Sequence, residues 1–273
     1  MSMCIYHGNC ADGFGAAWVV RKALGDIEFH PGKYQEPPPD VTGKDVVMVD
    51  FSYKRPVLLE MAEKANSILI LDHHKTAAED LLDLPANMTA KFDMEHSGVM
   101  LAWEHYFPGQ EPPLLLLHIE DRDLWRFALP NTRQIQANVF SFPYDFQVWD
   151  MLMATEVASL ASDGEAIERK HFKDICELIS VTARDMVIGG HRVLVANLPY
   201  TMSSDAGHEM AKGRPFAACY LDTPEGRVFS LRSNDDGVDV SEVAKQYGGG
   251  GHRNAAGFRV SFAAAQAFEV WHT

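Results

Sequence analysis

The sequence predicts an α/β protein: a doubly wound parallel-sheet domain, a helical connector, and a smaller α/β domain towards the C-terminal end. Three observations carry this. Across residues 1–130, short apolar runs alternate with helix-period segments, the pattern of a parallel sheet with helices packed on it. The run Ser67-Ile68-Leu69-Ile70-Leu71 is apolar at consecutive positions, as in a buried parallel strand. A length of 273 residues suits two domains, and 47% apolar residues supply ordinary cores.

The elements follow in order. Met3 to Tyr6 reads as the first strand and Gly13 to Leu24 as the helix after it. Ile27 to His30 is a short second strand, and Pro37-Pro38-Pro39 marks a loop. Asp45 to Val49 and Ser67 to Leu71 are strands, with the helix Arg55 to Ala65 between them. Met88 to Phe92 is a further strand, and Ser97 to Tyr106 and Leu114 to Glu120 are helical. Residues 131–190 form the expected connector, ending in a helix from Gly164 to Ile188 that Gly189-Gly190 stops. In the second domain, residues 191–273, strand His191 to Ala196 precedes a helix at Ser204 to Ala211. Strands Phe216 to Leu221 and Val228 to Arg232 flank the turn Thr223-Pro224-Glu225-Gly226. A helix from Val240 to Tyr247 feeds a glycine run, and Phe258-Arg259-Val260 resumes as a strand.

Charge and composition narrow the function. With 24 basic and 38 acidic residues the net charge is −14, which argues against an extended grip on duplex DNA but admits a short oligonucleotide or nucleotide. No segment reaches the roughly 18 apolar residues that span a bilayer, so no membrane partner is expected. The N-terminus carries no secretory pattern, and a cytoplasmic location is expected. Four scattered cysteines indicate neither a disulfide framework nor a structural zinc site.

Chemistry-bearing residues gather at three strand ends. Asp72-His73-His74 closes one apolar run, Asp50 follows another, and His7 and Asp12 follow the first. A lone Asp after a strand is ordinarily a helix N-cap. Six such groups on one carboxyl sheet edge, where open α/β folds keep their ligands, point instead to a metal site. The C-terminal block, Arg232-Ser233, then Val238-Asp239-Val240-Ser241, then Gly248 to Gly251 with His252-Arg253-Asn254-Ala255-Ala256-Gly257, is a second signature.

In the order of these segments the chain resembles the DHH phosphoesterase superfamily, with its DHH-associated C-terminal substrate-binding domain. Members include RecJ-type exonucleases, small-oligonucleotide hydrolases, cyclic-dinucleotide hydrolases and family II pyrophosphatases. The resemblance implies a domain carrying two metal ions in residues 1–130 and a substrate-gripping domain in residues 191–273. It implies His7, Asp12, Asp50, Asp72, His73 and Asp121 as metal residues, with Asp50 as the bridge and Asp72 either ligating or orienting a histidine. Asp123 is the runner-up to Asp121. Asp50, His73 and His74 form the implied catalytic set. His74, Arg232, Gly249, Gly250, Gly251 and His252 are implied in substrate binding. One departure concerns the first segment, where Cys10 stands in place of a usual Asp; Cys10 as a soft ligand and Asn9 as a neutral oxygen donor both remain open. Trp103, Trp125 and Trp149 read as core residues.

Mixed His/Asp ligation suits Mn²⁺, with Mg²⁺ or Co²⁺ as substitutes. The expected activity is metal-dependent, exonuclease-like hydrolysis of phosphodiester or phosphomonoester bonds in small nucleotides or short oligonucleotides. Two rival readings are a pyrophosphatase or polyphosphatase and a catalytically decayed nucleotide-binding module. Homo-oligomerisation is left open by the sequence.

Overall fold

Five strands form one parallel sheet in the first part of the chain: β1 (Ser2–His7), β2 (Glu28–Gly32), β3 (Asp45–Val49), β4 (Ser67–Asp72) and β5 (Met88–Phe92). Their order is β2-β1-β3-β4-β5, and every pairing is parallel. The order reverses between β1 and β3, the switch point at which sheets of this order hold their ligands. The structure is a computed structural model that describes residues 2–8, 10–34 and 36–268.

Strand residues divide by parity between two cores. Cys4, Val47, Val49 and Leu71 enter the core on one face, and Met3, Ile5, Val46, Met48, Ile68 and Ile70 the core on the other. This is the period-2 geometry of a strand buried on both faces, which removes the polar alternation from the sequence. The first face is covered by α1 (Ala11–Leu24), α4 (Gly98–Tyr106) and α5 (Leu114–Asp123). On the other face lies α2 (Arg55–Ala62), and α3 (Lys75–Asp80) follows β4.

The chain divides into two units, Met1–Glu168 and Arg169–Thr273. Residues expected as a connector are shared between these units. α6 (Thr132–Val139) and α7 (Phe146–Ala154) bury Ile135, Val139, Trp149 and Leu152 in the first core. The division falls within α8 (Val157–Thr182), a helix of 26 residues.

A six-stranded sheet forms the second unit, in the order β10-β11-β9-β8-β7-β6. The strands are β6 (Arg184–Ile188), β7 (His191–Asn197), β8 (Ala217–Thr223), β9 (Gly226–Arg232), β10 (Gly250–Gly251) and β11 (Ala255–Val260). Helices α9 (Ser203–Ala211) and α10 (Val240–Lys245) accompany them, with α11 (Phe262–Ala265) after β11. The smaller α/β architecture is as expected, with one correction. The helix read as far as Ile188 ends at Thr182, and residues 184–188 form β6, antiparallel to β7. Met186 and Ile188 are buried while Val187 is exposed, a period of 2 rather than 3.6. Gly189 and Gly190, at φ 58° and 81°, make the two-residue turn of a hairpin instead of a helix stop. No helix among the described residues is long and apolar enough to cross a membrane.

Candidate metal centre

Each strand end delivers its residues to one place. Asp50 follows β3 with its backbone in the left-handed region, φ 54°, and its amide donates to the Leu71 carbonyl at 2.9 Å. That conformation is uncommon outside glycine and costs about 1–3 kcal/mol, a strain that concentrates at functional sites. It aims a carboxylate that is 1% exposed at two imidazoles. His73 Nε2 lies 3.1 Å from Asp50 Oδ1, and His7 Nδ1 lies 3.3 Å from Asp50 Oδ2.

Asp72 organises the tripeptide it begins. Its Oδ1 accepts from the amides of His73 and His74, at 2.8 and 3.3 Å, and from Nδ1 of His74 at 2.7 Å. A proton fixed on Nδ1 leaves the Nε2 lone pair as that ring's ligating or accepting atom. Between ligation and orientation, the geometry gives Asp72 an orienting contact with His74.

Asp12 arrives from the first turn of α1, and α4 meets it. Gly98 and Val99, at the N-terminus of α4, donate to its two carboxylate oxygens at 2.6 and 3.0 Å. A Cβ on Gly98 would stand 2.3 Å from Asp50 Cβ and 2.8 Å from Asp12 Oδ2, so only glycine lets α4 approach. Gly13 plays the same part for α1, since a Cβ there would stand 2.4 Å from the His7 carbonyl oxygen.

Two ligand groups result. His7, Asp50 and His74 form one, and Asp12, Asp50 and His73 the other, each with its ligand atoms within 4.8 Å of one another. Asp50 belongs to both. Asp123, the last residue of α5, extends the second group: its Oδ2 is 3.5 Å from His73 Nε2.

Asp121, expected as a ligand, is not part of this cluster. Its Oδ1 accepts from the Ala128 amide at 2.8 Å, and its Oδ2 from Leu129 N at 3.1 Å and Thr132 Oγ1 at 2.6 Å. Two positions along a helix rotate a side chain by about 200°, so Asp121 and Asp123 face opposite ways. Asp121 accepts from the turn after α5, and Asp123 is the acid of this helix whose side chain lies against His73.

The electrostatics of the cluster suit a cation. Burial, then repulsion from Asp50 and Asp123, pushes the Asp12 carboxyl well above its usual range. Burial also opposes the charged form of Asp50, but the adjoining His7 and His73 imidazoles outweigh it and hold that carboxyl well below. Burial likewise acts against charge on His73, yet the Asp50 hydrogen bond and the Asp123, Asp50 and Asp12 charges raise it to about 10. Three carboxylates around one Nε2 thus demand positive charge. Asp50 Oδ2 and Asp72 Oδ2 are buried without a hydrogen bond, a costly arrangement for oxygens of this kind unless a cation satisfies them. The residues fit a divalent ion with oxygen and nitrogen ligands. The Cys10 thiol is pushed well above its ordinary value by burial and by Asp50, Asp123 and Asp12. Asn9 lies outside the described residues.

One residue at this edge gave no sequence signal. Tyr34, between β2 and β3, sets its ring 5.5 Å from the His7 ring, 6.1 Å from His74 and 5.0 Å from Phe51. Although the residue is half exposed, desolvation around its hydroxyl, then the nearby Asp72, Asp50 and Cys10, keeps its phenol protonated well above the ordinary range.

The glycine block in the second unit takes a form the sequence did not suggest. Rather than an open loop, Gly250 and Gly251 pair with Gly257 and Ala256 in a hairpin. A Cβ on Gly249 would stand 2.1 Å from the Gly257 carbonyl oxygen, and one on Gly251, at φ 141°, 2.5 Å from that of Ala255. Gly249 and Gly251 are required by close backbone approach. Arg232 ends β9 opposite Ala255 and donates to Ser204 Oγ and to the Leu231 carbonyl, each at 2.8 Å. The His252 amide donates to the Ala255 carbonyl at 2.8 Å. Trp103 and Trp149 are buried as expected, but Trp125 is only partly buried, with the Arg122 guanidinium 4.3 Å from its ring.

Residues 206–269 match the DHHA1 domain. Uncharacterized protein R106 of Acanthamoeba polyphaga mimivirus is 31% identical over 287 aligned residues, spanning 96% of this chain and 68% of its own length. RecJ from Thermus thermophilus, solved in complex with Mn²⁺, has the same fold at a TM-score of 0.56 and 15% identity. That alignment covers 98% of this chain and 50% of the Thermus chain, so the present chain spans half of that protein. An exonuclease RecJ bound to manganese is similar at a TM-score of 0.53 and 15% identity, over 98% of this chain and 88% of the other.

Proposed function

Because this chain belongs to the DHH phosphoesterase superfamily, we propose that it hydrolyses phosphodiester or phosphomonoester bonds of small nucleotides or short oligonucleotides in the cytoplasm, dependent on two divalent cations, Mn²⁺ foremost. The observation that carries this reading is the sharing of Asp50 between two ligand groups. A bridging carboxylate is what two ions about 3.5–4 Å apart require.

Asp50 would bridge, with His7 and His74 serving one ion and Asp12, His73 and Asp123 the other. When bound, such ions supply an activated water and neutralise charge on the phosphoryl oxygens. Asp72 holds His74 in register through Nδ1, so that its other ring nitrogen serves the ion or the phosphate. Gly98 keeps the N-terminus of α4 against Asp12 and Asp50. Arg232 and His252 are assigned to the substrate's terminal phosphate or base, and the Gly249–Gly251 stretch holds the sheet edge from which His252 follows. A net charge of −14 favours a substrate anchored at a few phosphates over a long strand.

The test begins with chelator-stripped protein. Calorimetry should show two equivalents of Mn²⁺ bound with release of protons. At pH 7 to 8 His73 is charged, being raised to about 10, so the metal must displace its proton. Apparent affinity for the ion in that group should therefore rise up to about tenfold per pH unit while His73 remains protonated. Restored Mn²⁺ should confer hydrolysis of dinucleotides and short RNA, with Mg²⁺ or Co²⁺ weaker. Metal binding with no turnover across dinucleotides, bisphosphate nucleotides, cyclic dinucleotides and pyrophosphate would reject the enzyme reading.

A further inference from the structure

We propose that Tyr34 contacts the reacting group directly, its phenol hydroxyl donating to a non-bridging oxygen of the substrate phosphate. This rests on the metal-dependent phosphoesterase reading and adds to it a residue that no sequence motif marks.

Three observations place it there. Tyr34 lies against residues of one ligand group, edge-on to both His7 and His74, and its ring is braced from beneath by Phe51, which is fully buried. The residue is nevertheless 47% exposed, so it forms the rim of the site rather than its floor. Its hydroxyl makes no hydrogen bond to any described residue, although the carboxylates of Asp50 and Asp72 are among its electrostatic neighbours.

Among the described residues, none of the hydrogen bonds to these carboxylates comes from Tyr34. Asp50 faces His7 and His73, and Asp72 Oδ1 takes two amides and the His74 ring. The Tyr34 hydroxyl is thus an uncommitted neutral donor at the rim of an acidic cluster. Once cations offset that charge and a phosphate enters, the same hydroxyl becomes a preorganised donor to an oxygen that gains charge in the transition state. A phenol suits this position because it donates without adding a charge that would compete with the metals.

The test uses Mn²⁺-loaded full-length protein and the variants Tyr34→Phe and Tyr34→Ala. Tyr34→Phe keeps the ring against His7 and His74 and removes only the donor. Its affinity for inorganic phosphate, read by calorimetry, should fall about tenfold, the order expected for one hydrogen bond to an anion. Its kcat/KM should fall about 10²-fold, equally on bis-p-nitrophenyl phosphate and on a dinucleotide, because the contact is to the phosphate. Mn²⁺ affinity and melting temperature should stay at wild-type values. Unchanged phosphate binding in Tyr34→Phe overturns the proposal. So does a loss seen only in Tyr34→Ala and only with the dinucleotide, which would assign the ring to base stacking. A fall in Mn²⁺ affinity that matches the fall in rate also overturns it, by showing action through the histidines. A wild type that binds Mn²⁺ and phosphate but hydrolyses nothing would refute the enzyme reading, while the phosphate affinities would still decide the role of Tyr34.

Discussion

At the edge of the first sheet, His73 Nε2 lies 3.1 Å from Asp50, 3.5 Å from Asp123 and 3.7 Å from Asp12. At the edge of the second, Gly249, Gly250 and Gly251 lie so close to β11 that a Cβ on Gly249 would meet the Gly257 carbonyl at 2.1 Å. Both stretches stand out in the sequence, for opposite physical reasons. The first region crowds ionisable side chains and leaves carboxylate oxygens without hydrogen bonds, an arrangement that folding alone does not reward. The second removes side chains so that backbone can pair with backbone, an arrangement that folding requires. Substitution in the first should therefore cost function, and substitution of its glycines in the second should cost structure.

The sharpest way to break that contrast is Asp50→Ala. It removes the one carboxylate common to both ligand groups, and turnover should fall by at least about 10³-fold. Mn²⁺ stoichiometry should drop from two towards one or none in the same titration. The metal-free variant should unfold modestly below metal-free wild type, since His73 loses the carboxylate it pairs with and Ala suits φ 54° no better than Asp, while relief of repulsion on Asp12 offsets part of that loss. A folded Asp50→Ala protein with near-normal turnover would remove the bridge and the comparison with it.

A smaller effect separates the two acids of α5. Asp123→Ala should lower turnover by about 10²-fold with little change in melting temperature, because the side chain faces His73. Asp121→Ala should do the reverse. It leaves the Ala128 and Leu129 amides and the Thr132 hydroxyl without their acceptor, at a cost of about 2–4 kcal/mol, while the folded fraction keeps its activity. Chemical denaturation beside specific activity distinguishes the two. If Asp121→Ala loses activity without losing stability, the exchange of roles between these residues is wrong.

That exchange shows what was legible in the sequence. Strand ends are easy to read because a buried strand is continuously apolar and its first polar residue marks the edge, which is how Asp50 and Asp72-His73-His74 stood out. Within Glu120-Asp121-Arg122-Asp123 there is no such break. Which acid faces inward depends on the rotational phase of α5, and packing against α1, α4 and α6 sets that phase. Residues 184–188 were misread for a related reason: five residues suit a helix end as well as a strand, and only pairing with β7 decides. Tyr34 was invisible because its position comes from a loop meeting β1 and β4, with no period to reveal it. The α/β architecture, by contrast, was carried by local patterns repeated many times, and it emerged as expected.

The smallest predicted effects lie in the second unit, where the comparison predicts a split within one motif. Arg232 is a charged side chain of the block, and it is already oriented by Ser204 Oγ and the Leu231 carbonyl. Gly207 leaves room for it, since a Cβ there would stand 2.7 Å from Arg232 Cγ. A guanidinium held this way can meet a phosphate with little further loss of side-chain freedom. Arg232→Ala should raise KM about tenfold for a dinucleotide with a terminal phosphate, leave kcat nearly unchanged, and barely affect bis-p-nitrophenyl phosphate, which carries no such phosphate. Gly249→Ala should raise KM for that dinucleotide only by loosening the hairpin, so it should also make the β10 and β11 amides exchange hydrogen faster. Equal loss on both substrates in Arg232→Ala would mean that the arginine supports the fold of its sheet edge. Retained amide protection in Gly249→Ala together with raised KM would mean that the glycine's backbone contacts the substrate, and the division between a region made for chemistry and a region made for packing would not hold.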